Sequence, residues 1–227
     1  VADYEKNKIG YLAFEANAMP FTNKKYSVAW IENVIDYLDE PGEWCVNTKT
    51  RKIYYWPKNG TPSNNIQAPK LMELFKVEGR IQYDLPNDIP AKNINFKGLT
   101  FTKGDRSVWY KNRKGWGIQH DWDTFDYGNA LLRFRGAENC KVTECRFTNS
   151  GGSAMRLDLH AQNIEIKNNY IDYVGHMGIL LAGYGPGTKD VNKNNIIENN
   201  ILHHVGQVIW HGHAIFAWQS GLNIIAN

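Results

Sequence analysis

One short pattern recurs along this chain at near-regular intervals, and that recurrence limits the folds open to it. Residues 96–101, 142–147, 166–171 and 197–202 each place an apolar residue, two or three turn-forming residues, and then an apolar residue, as in Ile166-Lys167-Asn168-Asn169-Tyr170-Ile171. A fifth copy starts at Ile225. The offsets are 166−142 = 24, 197−166 = 31 and 225−197 = 28 residues. A unit of about two dozen residues, lengthened by loops, is too short to bury its own apolar positions and must stack on copies of itself.

A second run follows each copy. Residues 132–135, 155–158, 179–182 and 215–218 align with one another, and residues 75–78 read as an earlier member. Strand alternation sends Phe75, Val77, Leu132, Phe134, Met155, Leu157, Ile179, Leu181, Ile215 and Ala217 inward. It sends Lys76, Glu78, Arg133, Arg135, Arg156, Asp158, Leu180, Ala182, Phe216 and Trp218 outward, so one face carries charge at one end and apolar bulk at the other. No helix-period stretch competes after residue 90. The reading is all-β: a right-handed parallel β-helix over 71–227. Asn168, Asn199 and Asn227 fall at one corner of the unit, with Asn169 and Asn200 beside them. Asn tolerates the left-handed backbone of a tight corner, and stacked amides form a ladder along later turns. Gly98 and Glu144 hold that corner in the first copies.

Residues 1–70 read as an N-terminal β-rich cap or insertion. Residues 27–38 are a helix or an irregular strand, 40–44 a turn, and 44–47 with 52–56 a hairpin. A cap is expected because an open coil exposes strand edges.

Composition narrows the function classes. The 227 residues carry a formal charge of +3 with no basic stripe, which speaks against nucleic acid. No apolar run approaches the roughly 20 residues of a membrane span. Cys45, Cys140 and Cys145 give neither a disulfide framework nor a zinc pattern. The chain is expected to be part of a longer β-helix protein, since it starts at Val1 without Met and stops inside a repeat. Aromatics make up 13%, and flat rings stack on sugars as readily as they fill cores.

At this point the runs 40–44, 53–57, 94–101, 132–139 and 199–206 resemble bacterial right-handed β-helix proteins that act on carbohydrates, closest to glycoside hydrolase family 141. The resemblance spans most of residues 40–227. It implies a polysaccharide or oligosaccharide substrate, secretion or a periplasmic location, and no cofactor; polysaccharide lyases and tailspikes share the fold, which by itself does not choose among them.

Candidate chemistry lies in loops and on the outward strand face. The long insertion between Phe101 and Leu132 holds Trp116, Asp121 and Trp122. At the equivalent corner two turns later come His203, His204, Trp210, His211 and His213. Both loops could wall one cleft, or merely cover the coil. Asp158 is the preferred catalytic carboxylate, beside Arg156 and near His160, with His211 a proton-transfer candidate. Glycoside hydrolysis generally needs a second carboxyl group, from Asp121, Asp123 or residues beyond Asn227. The bland alternative is a surface salt bridge from Asp158 to Arg156 or Arg135. Arg133, Arg135 and Arg156 suit an acidic or sulfated sugar, or form a solvated charged face. Trp116, Trp122, Trp210 and Trp218 are candidates for sugar stacking. Tyr184, with Lys189 and Asp190, is placed to flank substrate at the opposite edge. A metal on His211 and His213 is disfavoured, with no acidic residue or Cys close by.

Three functions follow: a hydrolase acting on a plant or algal glycan; a lyase using Arg156 or Arg133 to neutralise a uronate, with a His or Lys as base; or a non-catalytic carbohydrate-binding or tailspike module.

Overall fold

The computed structural model describes residues 33–106, 128–209 and 211–227. They fall into two units, one covering the described residues up to Ala68 and one from Pro69 to Asn227. In the first, a 3-10 turn over Ile35–Tyr37 precedes an antiparallel hairpin of β1 (Trp44–Asn47) and β2 (Lys52–Tyr55). The carboxylate of Glu43 accepts from the amides of Asp39 and Glu40, and Gly42 takes φ +107°, which closes the turn before β1. The amides of Lys49 and Thr50 donate to Asn47 Oδ1 in the hairpin loop.

The second unit is a parallel solenoid. Its first coil comprises β3 (Phe75–Glu78), β4 (Ala91–Lys92), β5 (Asn95–Lys97) and β6 (Thr100–Thr102). The second has β7 (Ala130–Glu138), β8 (Lys141–Thr143) and β9 (Arg146–Ser150). The third has β10 (Ser153–Gln162), β11 (Glu165–Lys167) and β12 (Tyr170–Val174). The fourth has β13 (Ile179–Ala182), β14 (Asn192–Lys193), β15 (Ile196–Glu198) and β16 (Ile201–His203), and the last β17 (Ile215–Trp218) and β18 (Ile224–Ala226). Three parallel sheets run down the stack: β3-β7-β10-β13-β17 with β4 and β14 at its margin, β5-β8-β11-β15-β18, and β6-β9-β12-β16.

The register matches the repeat alignment residue for residue. Phe96 pairs with Val142, Val142 with Ile166, Ile166 with Ile197, and Ile197 with Ile225. On the large sheet, Phe75, Leu132, Met155, Ile179 and Ile215 form one row. The inward rows interdigitate in a single core that includes Phe96, Phe134, Val142, Phe147, Leu157 and Ile166. Phe101 stacks on Phe147 at 4.7 Å and 3°.

Corners repeat too. Asn93, Asn139, Asn163 and Asn194 hold one in the left-handed region; Gly98, Glu144, Asn168 and Asn199 hold the next; Lys103, Asn149, Tyr173 and His204 the third. The amide ladder forms beside the second corner. Asn169 donates to Val142 O and Asn200 Oδ1 and accepts from the amide of Cys145, all at 2.9 Å. A parallel ladder joins Ile164, Asn195 and Asn223. Cys140 and Cys145 stand, one coil or two earlier, where these later coils have buried Asn.

The long strand β10 breaks its pairing with β7 once. Asp158 lies opposite Arg135 and Ala161 opposite Ala137, so Leu159 and His160 together face Gly136. Leu159 takes φ +56° while fully buried. A bulky residue there is strained, and the next residue, His160, reaches Asp88 and Glu138 at the sheet margin.

Asn169→Ala leaves the Cys145 amide unpaired in the core and takes one of its two donors from the Val142 carbonyl, which the β8–β11 ladder also engages. It is expected to destabilise by about 1–3 kcal/mol per group left unmet, read as a lowered urea midpoint. Asn168→Gly, at the exposed corner with φ +59°, is expected to leave the midpoint almost unchanged.

Candidate functional site

The outward rows of the large sheet do not form the exposed surface that alternation alone suggests. Arg156 and Asp158 are 0% exposed and Arg133 is 5%. They point away from the solenoid core, as expected, but into a second buried layer. At the apolar end that layer is a small cluster of Met177, Leu180 and Ala182, against which Phe216 and Trp218 pack half-buried.

At the charged end Asp158 is held from two coils. Arg133 Nε donates to its Oδ2 and Arg156 Nε to its Oδ1, each at 2.7 Å. Arg156 Nη1 also donates to Asn129 Oδ1 at 3.1 Å. The salt bridges are therefore with Arg156 and Arg133. Arg135, the other expected partner, turns instead to Glu78 at 3.0 Å and to the Tyr83 hydroxyl at 3.2 Å. Asp158 and Arg135 lie opposite one another in the pairing, but the side chains diverge because Arg135 has an acid of its own in the preceding coil. Arg133 reaches a second carboxylate: its Nη1 lies 3.6 Å from Glu73 Oε2, a buried oxygen with no hydrogen-bond partner among the described residues. One guanidinium thus stands between two carboxylates, Asp158 and Glu73. Burying such charges is favourable only when the pairing is close to complete, so the unsatisfied oxygen of Glu73 calls for an explanation.

His160 belongs to a separate group at the sheet margin. Its Nε2 lies 2.9 Å from Glu138 Oε1 and its Nδ1 3.3 Å from Asp88 Oδ2. Asp88 sits on the connection from β3 to β4, which closes on itself through the Arg80–Ile89 bridge. From there its carboxylate accepts from the Gln82 amide at 2.8 Å, the Tyr184 hydroxyl at 3.0 Å and Lys189 Nζ at 2.8 Å. A strap from the first coil is thereby tied to side chains of the third and fourth. Tyr83 on the same strap lies edge-on to Tyr184 with ring centroids 6.1 Å apart. Burial would raise the pKa of Asp88, but Lys189, the Gln82 amide and Tyr184 outweigh it and hold the carboxyl below its usual range. Glu138 is likewise lowered, burial being overcome by Lys92 and His160. Burial and then the Asp88 carboxylate push the Tyr184 phenol upward.

His176 is buried beside this layer, with Nδ1 3.4 Å from Ser153 Oγ. Burial first, then the charges of Arg156 and His213, lower it to about 3.

Of the residues singled out from sequence, Asp158, Arg133 and Arg156 converge. His160 and Tyr184 converge around Asp88. Arg135 stands between the groups, bonded to the strap. His211 is exposed in a left-handed corner, and His213 stacks on Phe216 at 5.4 Å. Asp121, Asp123, Trp116, Trp122 and Trp210 lie outside the described residues. Among the described residues no group of three His, Cys, Asp or Glu could hold a metal ion, and no helix is long and apolar enough to cross a membrane. Glu73 and Asp88 were not singled out. Both fall on stretches with no counterpart in the repeat, Glu73 ahead of β3 and Asp88 within residues 79–90 between β3 and β4, and the length of the latter excursion is the one signal the sequence carries for it.

Fold and site define a solenoid with a buried ionic layer on one outer face, and comparison with known proteins bears on both. The model of the right-handed β-helix region matches residues 89–227, and that of the GH141 insertion domain matches residues 15–58. The chain belongs to the right-handed β-helix proteins and is GH141-like, which points to a carbohydrate-active protein. Comparison with curated proteins and with solved structures found no match.

The lowered pKa values have a signed consequence. A group held below its unfolded value stabilises the fold above that value and loses the contribution as pH falls toward the folded one. For His176 the window runs from about 6.5 down to about 3; for Asp88 and Glu138 it opens below 3.8 and 4.5. The thermal midpoint is expected to fall from pH 6.5 downward and more steeply below pH 4.5. His176→Gln is expected to flatten the upper part of that fall, read by calorimetry across the series.

Proposed function

We propose that this chain is the β-helix portion of a secreted or periplasmic glycoside hydrolase acting on a plant or algal polysaccharide or oligosaccharide. Its chemistry is placed on the outer side of the large sheet. The observation that carries the reading is the Glu73–Arg133–Asp158 arrangement. Glycoside hydrolysis uses two carboxyl groups, one to protonate the leaving oxygen and one to activate water or attack the sugar. Asp158 comes from the middle of β10 and Glu73 from the approach to β3, and Arg133 stands between them, hydrogen-bonded to Asp158 and 3.6 Å from Glu73. Two acids beside one cation are what a catalytic pair needs and a solenoid core does not. The second carboxyl group in this reading is Glu73, with Asp121, Asp123 or residues beyond Asn227 the alternatives supplied by sequence. His160, two residues from Asp158 and held by Asp88 and Glu138, lies at the edge of the same face. The arginines serve this reading as counter-charges to acids of the chain itself: Arg133 and Arg156 to Asp158, Arg135 to Glu78.

The test is turnover of a panel of plant and algal glycans, followed by reducing-end release and by ultraviolet absorbance. Glu73→Gln is the informative variant, because Asp158→Asn also removes the charge that neutralises two buried guanidinium groups and is expected to cost about 3–5 kcal/mol of stability. Each variant is expected to lower kcat by roughly 10²–10⁴-fold, with Glu73→Gln still folded by circular dichroism. Wild-type turnover in a folded Glu73→Gln removes that residue from the pair. An ultraviolet-absorbing product identifies a lyase, and binding without turnover identifies a non-catalytic carbohydrate-binding module.

A further inference from the structure

A groove of about 430 Å³ opens past the end of β13, between residues 184–190 and 219–221. That volume lies within the range of small-ligand sites. We infer that this groove is a glycan subsite selective for uncharged sugar units, an inference that rests on the carbohydrate-active reading above.

Its walls are fixed before any ligand arrives. The first wall starts at Tyr184, whose hydroxyl donates to Asp88, and ends near Lys189, whose ammonium lies 2.8 Å from the same carboxylate. Within it the Thr188 hydroxyl donates to the Gly185 carbonyl. The second wall is stitched to the fourth coil: the Gly221 amide donates to Asn192 O at 3.1 Å, and the Ser220 hydroxyl donates to Asn192 Oδ1 at 2.6 Å. The two walls meet at Gly183, where a Cβ would lie 1.9 Å from the Gln219 carbonyl, so only glycine lets them approach. A preformed site keeps the ordering cost of binding low.

Charge sets the selectivity. Lys189 and Asp190 are the charged residues of the lining. Lys189 has a side chain only 9% exposed and faces Asp88. Asp190 is 79% exposed and pairs with Lys193 at 2.9 Å. Each charge of the lining thus already has a partner in the chain, Asp88 for Lys189 and Lys193 for Asp190, so the lining offers a uronate or a sulfate no uncommitted cation. What remains for recognition is the backbone of a glycine-rich loop, the Thr188 hydroxyl and the Gln219 amide, suited to sugar hydroxyls. The groove begins two residues beyond Ala182, the last residue of β13, which pairs with Asp158.

The experiment is calorimetric titration of the intact protein with xylotetraose, mannotetraose and galactotetraose against tetragalacturonate. At least one neutral oligosaccharide is expected to bind, with tetragalacturonate weaker by about tenfold or more. Gly185 lines the groove with an ordinary φ, and a Cβ placed on it would meet nothing within 4 Å, so Gly185→Phe puts a bulky side chain on the lining without straining the backbone; it is expected to weaken neutral binding by at least about tenfold. Asp190→Lys, on the exposed lip, is expected to raise affinity for tetragalacturonate. Neutral binding that survives Gly185→Phe, tighter binding of tetragalacturonate to the unaltered protein, or no neutral binding at all overturns the inference. The hydrolase reading fails separately, through unchanged turnover in Glu73→Gln, a variant that leaves the groove untouched.

Discussion

Register between successive coils is the constraint on which the rest of the structure depends. Each strand of the large sheet takes its partner from the coil before, so the inward or outward sense of every side chain is passed down the stack. Phe134, Leu157 and Leu181 share one interior row because their backbones pair in order. The same pairing brings Arg133 and Arg156 into adjacent coils on the outside, where both reach Asp158. The ion cluster is therefore produced by the ladder: move one coil by a residue and the arginines enter the core.

The outer layer adds a second level of organisation. Solenoid packing requires only that outward side chains tolerate water. Here several of them are buried and charged, an arrangement that contributes little to stability unless satisfied. The strap carrying Asp88 draws three coils together through one carboxylate, and Glu73 approaches Arg133 from the chain entering β3. Contacts of this kind order a surface, and an ordered polar surface suits a site that must hold two acids at fixed separation.

Much of this was legible in the sequence, for a definite reason. The solenoid repeats its physics every coil, so alignment of Ile166 with Ile197 and of Met155 with Ile179 is enough to set register, core rows and corners. The left-handed corners at Asn168 and Asn199, and the amides beside them, follow from the same copies. What the sequence hid has no copy. Alternation gives the direction of Arg156 and Asp158 but says nothing about what covers them. The choice of Arg133 over Arg135 as the partner of Asp158 depends on Glu78 capturing Arg135, a contact between coils 57 residues apart. Asp88 and Glu73 lie in unrepeated stretches, where no neighbouring coil advertises a shared role.

The strained backbone at Leu159 has a further effect. In a plain alternating strand, a slip of two residues preserves which side chains face in, so the hydrophobic pattern alone cannot tell adjacent alignments apart. A bulge opposite Gly136 removes that degeneracy, because only one alignment sets both Leu159 and His160 against that glycine. The left-handed leucine thus acts as an index mark for a single phase of β10 against β7, the one that sets Arg156 beside Arg133 and leaves Asp158 within reach of both.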